Sequence, residues 1–577
     1  MKKREHQQQV FLSGNEAIAF GAWAAGVCFA SAYPGTPSTE ILETLSKFSE
    51  LEAQWAVNEK VAYESAFGVC IAGKRALTAC KHVGLNVAMD PLMTTVYSGV
   101  NAGFVVVVAD DPGMHSSQNE QDTRLVASYA KIPLLEPASP SQCYLFIQQA
   151  FNISEKFDIP VLLRITTRVS HTKESFYIDR KRENVSKKRD KNPKKYVMIP
   201  GHARLRHLDL EKRLLKLEKF SEKTAFNKEE INNTKTGFIT SGVSDMYARE
   251  VYPDASFLTL GMSFPFPAEK VKNFAKKVKK LYVIEELEPF IENKIKQEGI
   301  KVIGKDASWY CGELSPSAVK KIVQLKPNES KTIKARRPLL CAGCPHRPTF
   351  YSLKKTGAYI TGDIGCYTLG ALEPLAALHT QICMGASIPF FEGMGKICKN
   401  EKTIAVIGDS TFIHTGINGL ISAVYNGAKG VIVIMDNSIT AMTGGQQNPA
   451  TGITLQGKQT KKLSIEAICK ALGVDNVDVI DPYHTKAFQE LLKVRLKEAK
   501  LSVIIARSPC KMIDRTKKSP FQINIEKCKK CGQCLLLDCP AITKQEDIIK
   551  IDENLCVGCG LCAQLCKFKA IEQRKKT

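Results

Sequence analysis

Eight cysteines lie between Cys528 and Cys566, in two runs: Cys528-x2-Cys531-x2-Cys534-x4-Cys539-Pro540 and Cys556-x2-Cys559-x2-Cys562-x3-Cys566. A cubane of four irons and four sulfides needs four thiolates. Where two cubanes share one small module, each run gives three ligands to one cluster and its fourth to the other. That rule assigns Cys528, Cys531, Cys534 and Cys566 to one [4Fe-4S] cluster, and Cys539, Cys556, Cys559 and Cys562 to the second. The first run has four residues before its last cysteine where the simple pattern has three, and Lys567 follows Cys566 where proline is usual. Neither departure removes a ligand. CxxC pairs also bind zinc, but two complete runs favour clusters, and so one-electron transfer.

A second chemistry is written in Gly408-Asp409-Ser410, which follows the apolar run Thr403–Ile407, and in Asp436-Asn437, which follows a second apolar run. An aspartate and an asparagine at neighbouring strand ends offer hard oxygens to Mg²⁺. A loop glycine admits a phosphate, and the helix that follows offers N–H donors at its N-terminus. The segment resembles the thiamine diphosphate motif of 2-oxoacid:ferredoxin oxidoreductases, with Ser410 in place of the usual last glycine. The resemblance implies that Asp409 and Asn437 ligate Mg²⁺ with the Ile439 carbonyl, and that Thr443-Gly444-Gly445-Gln446 is a cofactor loop. Gly408, Ser410 and Gly444 are thereby implied cofactor contacts.

The same family supplies an activating carboxylate for the cofactor's aminopyrimidine. Asn58-Glu59-Lys60-Val61-Ala62-Tyr63-Glu64 offers two, of which Glu59 fits the motif better and Glu64 second. Tyr33-Pro34-Gly35-Thr36-Pro37-Ser38-Thr39 resembles the family's YPxTPS signature, which implies that Thr36 contacts the substrate carboxylate. Read without the family, this loop is a proline-ordered turn with a helix N-cap at Ser38. The stretches 81–86 (KHVGLN) and 116–122 (SSQNEQD) follow strand ends, where open α/β sheets bind ligands. The run Gly68-x4-Gly73-Lys74 has Arg75 where a phosphate-binding loop needs Ser or Thr, and it precedes a strand, so it reads as a helix end and turn.

Four more cysteines are candidates for a third cluster: Cys341 and Cys344 in a CAGCPHR run, Cys366 in Asp363-Ile364-Gly365-Cys366, and Cys510 after a strand. Related enzymes hold a cluster near thiamine with cysteines in this order, though the tryptophan that usually precedes the first pair is missing. The alternatives are buried free thiols or a zinc knuckle using His346.

These residues need rigid elements around them. At 577 residues, the chain is long enough for about three to five domains. Short apolar runs at Ala76–Cys80, Phe104–Ala109 and Val161–Ile165 predict buried parallel strands, and Asn15–Cys28 predicts a helix. Further strands are predicted at Gly237–Thr240, Phe257–Leu260, Leu281–Ile284 and Gly430–Met435, with helices at Glu269–Lys280 and from Leu208 to about Glu230. The expected fold class is α/β: two doubly wound thiamine diphosphate-binding domains, a transketolase-C-like α/β domain and a ferredoxin-like module with two clusters. The expected boundaries are 1–178 for the pyrimidine-binding domain, 179–235 for a basic connector, 236–330 for the transketolase-C-like domain, 335–515 for the pyrophosphate-binding domain and 518–577 for the ferredoxin module, with Arg336-Arg337-Pro338 marking a break. Arg180–Lys195 holds nine Lys or Arg against Glu183 and Asp190, and reads as a solvated connector or as a docking surface for an acidic partner.

Eighty-one Lys and Arg against 58 Asp and Glu leave a charge of +23, which favours anionic partners. The two cysteine runs exclude a plain hydrolase or simple binding module. No secretory core is legible, since Asn15 and Glu16 interrupt it, and the uncharged run 17–39 is Ala/Gly-rich with its apolar part ending at Pro34. The expectation is a cytoplasmic protein that binds neither membrane nor nucleic acid. In a reducing compartment, clustered cysteines are metal ligands more often than disulfides.

Taken in order, these motifs resemble the alpha subunits of indolepyruvate:ferredoxin oxidoreductases along nearly the whole chain. The resemblance implies thiamine diphosphate, Mg²⁺ and two [4Fe-4S] clusters, a smaller beta subunit in a hetero-oligomer, coenzyme A, and a soluble ferredoxin as acceptor. The implied reaction is oxidative decarboxylation of arylpyruvates such as indolepyruvate to arylacetyl-CoA and carbon dioxide. The competing readings are a non-oxidative thiamine-dependent decarboxylase and an electron-relay subunit with a vestigial thiamine fold.

Overall fold

The computed structural model describes residues 7–179, 181–329, 337–398, 400–516 and 518–574. It divides into two compact units, Met1–Thr332 and Ile333–Thr577. Arg180 and Arg336, expected at the start of the connector and at a domain break, lie outside the described residues, as do the outermost residues of the expected terminal domains.

The first unit is built on a seven-stranded sheet in the order Met262–Phe264, Leu134–Leu135, Val161–Thr166, Phe104–Asp110, Ala76–Lys81, Phe29–Ala32 and Glu52–Trp55. All its pairings are parallel except the first. Phe104–Asp110 is buried at every position, as a Val run covered on both faces must be. From Phe29–Ala32 the chain goes to one neighbour, Glu52–Trp55, and then returns to the other side at Ala76–Lys81. The topological switch therefore lies between Phe29–Ala32 and Ala76–Lys81, and a crevice opens at their carboxyl ends.

A second sheet holds Lys280–Ile284, Thr236–Thr240, Ser256–Leu260 and, antiparallel at its edge, Asn227–Glu230. Three expectations need revision here. The helix expected over Glu269–Lys280 is Ala268–Ala275, because the chain must extend into the strand that begins at Lys280. Asn227–Glu230, placed in the connector, is an edge strand of this sheet, and Met262–Phe264, placed in the transketolase-C-like domain, pairs with the first sheet. The basic connector is held at two points along its backbone. Glu183 N–H donates to Ala24 O and Lys187 N–H to Gly73 O, each at 2.8 Å, while most side chains of the segment stay exposed. Its backbone is tied down because it satisfies groups left open at two helix ends. The helix Pro200–Lys223 follows it.

The second unit has a five-stranded parallel sheet in the order Tyr359–Thr361, Thr403–Gly408, Gly430–Asp436, Leu501–Arg507 and Asn476–Ile480. Two short antiparallel ribbons follow, Phe521–Ile523 with Ile571–Gln573 and Ile542–Gln545 with Ile548–Ile551. They frame a small core of isoleucines, leucines and cysteines. Among the described residues no helix is long and apolar enough to cross a membrane.

Candidate active site

In the first unit the switch-point crevice gathers four of the singled-out segments. Asn58 caps the helix Glu59–Ile71, its side chain accepting from Val61 N–H at 2.9 Å, and this fixes Glu59 as the first helical residue. Glu59 is 6% exposed. Gly84 faces it so closely that a Cβ there would stand 2.5 Å from Glu59 Oε1, so residue 84 must be glycine for the carboxylate to lie where it does. Glu64 differs. Its side chain is 46% exposed and ion-paired with Lys60 on the outer face of the same helix.

Thr36 lies in the loop after Phe29–Ala32, and Ser116 Oγ donates to its carbonyl at 3.2 Å. Ser38 does not cap the next helix; its hydroxyl donates back to Gly35 O at 2.8 Å and closes the loop on itself. Lys81 ends the strand Ala76–Lys81. Its stem lies within 3.4 Å of where a Gly35 Cβ would be, and its Nζ donates to Ser116 O at 2.8 Å. Burial pulls its ammonium down to about 8, against the opposing charges of Asp111 and Glu59. Asp111 holds the loop, accepting from Ser116 N–H at 2.9 Å and the Ser117 hydroxyl at 2.7 Å. An acid, a cation and the Thr36 loop thus share one crevice, but nothing in local sequence spacing joins them.

In the second unit Asp409 begins the helical stretch after Thr403–Gly408 and is 3% exposed. Oδ1 accepts from Ser410 N–H at 2.8 Å. Oδ2 is buried with no partner at hydrogen-bonding distance among the described residues, although the Asn448 amide is nearby. Burial first, and then the neighbouring Asp436, push its carboxyl up to about 7. Asp436 is itself paired with Arg507 at 2.7 Å. A buried carboxylate oxygen without a donor is costly, and a cation held there would satisfy it. Asn437 and Ile439 sit on the adjacent turn, with Ile439 N–H pointing at Asn437 Oδ1 at 3.4 Å. Ser410 is accommodated because its hydroxyl accepts from Thr440 Oγ1 at 2.8 Å, which ties the 440–446 loop to the Asp409 turn. Gly444 in that loop has φ 123°. These residues fit the diphosphate and metal end of the cofactor.

The four additional cysteines share this locality. Burial pushes Cys344 up to about 12 and Cys366 to about 11. Cys344 feels the charge of Cys341 and Cys366, Cys366 that of Cys510 and Cys341, and Cys510 that of Cys341 and Asp409. Cys510 N–H donates to Asn437 O at 3.0 Å, so this cysteine abuts the Asp409–Asn437 turn directly. His346 stands beside Asn437, 3.5 Å from its amide, and burial pulls its imidazole down to about 4.

Two cavities in the terminal module sort its eight cysteines. One is walled by Cys539, Cys556, Cys559 and Cys562, the other by Cys528, Cys531, Cys534 and Cys566. The first is also lined by Ala342 and Gly343, from between Cys341 and Cys344. Gly343 has φ 64°, and a Cβ on it would strike Val557. Arg347, missed as a functional residue, fixes this contact: buried, it donates to Cys341 O at 3.1 Å and Leu537 O at 2.7 Å. Among the described residues no three His, Cys, Asp or Glu side chains stand close enough to hold a single metal ion.

Three family models match. They are pyruvate flavodoxin/ferredoxin oxidoreductase, thiamine diphosphate-binding, over residues 20–233; the C-terminal thiamine pyrophosphate-binding domain of thiamine pyrophosphate enzymes over 363–506; and a 4Fe-4S binding domain over 549–572. Indolepyruvate oxidoreductase subunit IorA of Archaeoglobus fulgidus is 39% identical, covering 98% of both chains. The chain belongs to the indolepyruvate oxidoreductase subunit IorA family. The IorA of Pyrococcus horikoshii is 38% identical over 98% of this chain and 97% of its own length. A solved 2-oxoglutarate:ferredoxin oxidoreductase from Magnetococcus marinus aligns at TM-score 0.47 and 18% identity, over 56% of this chain and 66% of that one. As a member of the IorA family the chain is a subunit of a thiamine diphosphate-dependent oxidoreductase of the 2-oxoacid:ferredoxin type, with iron–sulfur clusters.

Proposed function

We propose that the chain is the alpha subunit of an enzyme that oxidatively decarboxylates arylpyruvates, indolepyruvate above all, to arylacetyl-CoA and carbon dioxide. It works with a smaller beta subunit, coenzyme A and a soluble ferredoxin. The observation that carries this reading is the adjacency of Cys510 to the Asp409–Asn437 turn, which ties a cysteine cluster to the cofactor end of the site. A non-oxidative decarboxylase has no use for such a connection.

Thiamine diphosphate supplies a nucleophilic carbon and an electron sink. Glu59 holds and moves the proton at its aminopyrimidine, from a buried position suited to a shared proton. Asp409, Asn437 and the Ile439 carbonyl are the Mg²⁺ ligands, and the free Asp409 Oδ2 is the group that most needs the cation. Gly408, Ser410 and Gly444 line the diphosphate. Thr36 and Lys81 receive the substrate carboxylate, Lys81 as the cation of a charge-assisted hydrogen bond. Cys341, Cys344, Cys366 and Cys510 hold a third [4Fe-4S] cluster. With clusters bound, these four cysteines would relay electrons toward the Cys539, Cys556, Cys559 and Cys562 set, whose cavity the 341–344 loop lines, and Cys528, Cys531, Cys534 and Cys566 would hold the last cluster. The five expected domains serve as the parts of this machine, with the basic segment strapped to the first of them.

The test is an anaerobic assay of the complex with indolepyruvate, phenylpyruvate and pyruvate, each with and without electron acceptor, alongside iron analysis. The reading expects acceptor-dependent turnover that prefers the aryl substrates, and about twelve irons per chain. Aldehyde release that ignores the acceptor would contradict it. About eight irons, unchanged in Cys341→Ser, would remove the third cluster.

A further inference from the structure

The two cysteine-walled cavities of the terminal module have different surroundings. The one formed by Cys539, Cys556, Cys559 and Cys562 is closed by the 341–344 loop and Arg347. The one formed by Cys528, Cys531, Cys534 and Cys566 is lined only by the module's own residues, Lys529 and Phe568 among them. Cys531 is exposed, and so is Phe568, at 45%. Lys529, Lys530, Lys567 and Lys569 are all exposed on the two segments that carry Cys528, Cys531 and Cys566. None of the four takes part in an ion pair among the described residues. By contrast Lys527 is paired with Glu572 at 2.6 Å and Lys544 with Asp547 at 3.7 Å. Glu526 is the exposed carboxylate of the same loop. Lys530 and Lys569 also have φ values of 52° and 50°, a backbone region that glycine and asparagine occupy more easily.

We propose that this rim, with Lys529, Lys530, Lys567 and Lys569 around an exposed Phe568, is the docking surface for an acidic one-electron carrier protein. The proposal rests on the functional reading above and adds where the electrons leave the chain. Four exposed like charges on the two segments that carry Cys528, Cys531 and Cys566 favour an acidic partner and steer the encounter. Phe568 gives the contact an apolar centre. At each encounter one electron leaves the reduced cluster and the oxidised carrier becomes reduced. The two-electron oxidation of one 2-oxoacid therefore reduces two carriers in succession, and no bond or proton changes at this surface.

The experiment uses the whole complex with two acceptors, an acidic ferredoxin and methyl viologen at saturation. In Lys529→Glu/Lys567→Glu the KM for ferredoxin should rise by about ten-fold, while the viologen-linked rate and iron content stay within roughly two-fold of the parent. In the unsubstituted complex the same KM should climb with ionic strength, because salt screens exposed charges. An unchanged KM in the substituted complex, or a KM in the parent that ignores salt, overturns the proposal even if the double variant fails to assemble. A parent with no viologen-linked oxidation of any 2-oxoacid would count against the functional reading instead.

Discussion

Glu59 and Asp409 are both carboxylates buried at the start of a helix that follows a strand, yet their surroundings oppose each other. Glu59 shares its crevice with the ammonium of Lys81 and is packed against a glycine. Asp409 faces a second carboxylate, Asp436, and its Oδ2 has no partner at hydrogen-bonding distance among the described residues, with the Asn448 amide nearby. The first environment already contains positive charge, and in the proposed function its carboxylate is the proton-sharing acid. In the second, the Arg507 guanidinium is taken by Asp436 and no cation pairs with Asp409 among the described residues, which suits this carboxylate to the proposed Mg²⁺. On the proposed reading, two residues of like chemistry have separate work, one in proton transfer and one in holding the cofactor.

That contrast breaks most severely at Asp409. Asp409→Ala should weaken retention of thiamine diphosphate and Mg²⁺ by about 100-fold or more, beyond what changes around a metal ligand usually cost. Iron bound by the terminal module should be unaffected, since its eight cysteines wall cavities of their own. Cofactor and iron analysis of the purified complex reads both, and normal cofactor content would refute the assignment.

Lys81 sharpens the other side. Lys81→Ala should raise the KM for the 2-oxoacid by roughly 10- to 100-fold, the range of a lost charge-assisted hydrogen bond, with cofactor content unchanged. Because burial holds the Lys81 ammonium at about 8, the cation is present below that pH and lost above it. The parent's KM should therefore climb as pH passes about 8, and the alanine variant should lose this dependence. A pH series of initial rates on both proteins decides it.

The smallest effect belongs to Glu64. Its side chain is exposed and, among the described residues, is ion-paired with Lys60 alone. Glu64→Gln should leave turnover within about two-fold, as expected for an exposed ion pair. A dead Glu64→Gln beside an active Glu59→Gln would reverse the comparison.

The sequence made local chemistry legible and left non-local geometry obscure. The cysteine runs could be sorted because ligand spacing is a local property, and the cavities divide the eight cysteines along the same line. Fully buried strands such as Phe104–Asp110 stood out as unbroken apolar runs. Lys81 could not be given a role, because only the strand order puts its carboxyl end next to the loop after Phe29–Ala32. Arg347 was equally opaque, since its carbonyl partners at Cys341 and Leu537 are 6 and 190 residues away. The basic segment reads as a solvated connector from its composition, and most of its side chains are exposed, but composition could not show that the Glu183 and Lys187 N–H groups are committed to helix ends far away in sequence.

The most direct test of the division of work between the two carboxylates is hydrogen exchange at C2 of bound thiamine diphosphate, followed by NMR after rapid acid quench. Glu59→Gln is nearly isosteric, so it should retain cofactor and iron while exchange and turnover fall by about 10²- to 10⁴-fold, the range of lost acid–base catalysis. Exchange at the parent's rate in a fully loaded Glu59→Gln complex would contradict the account.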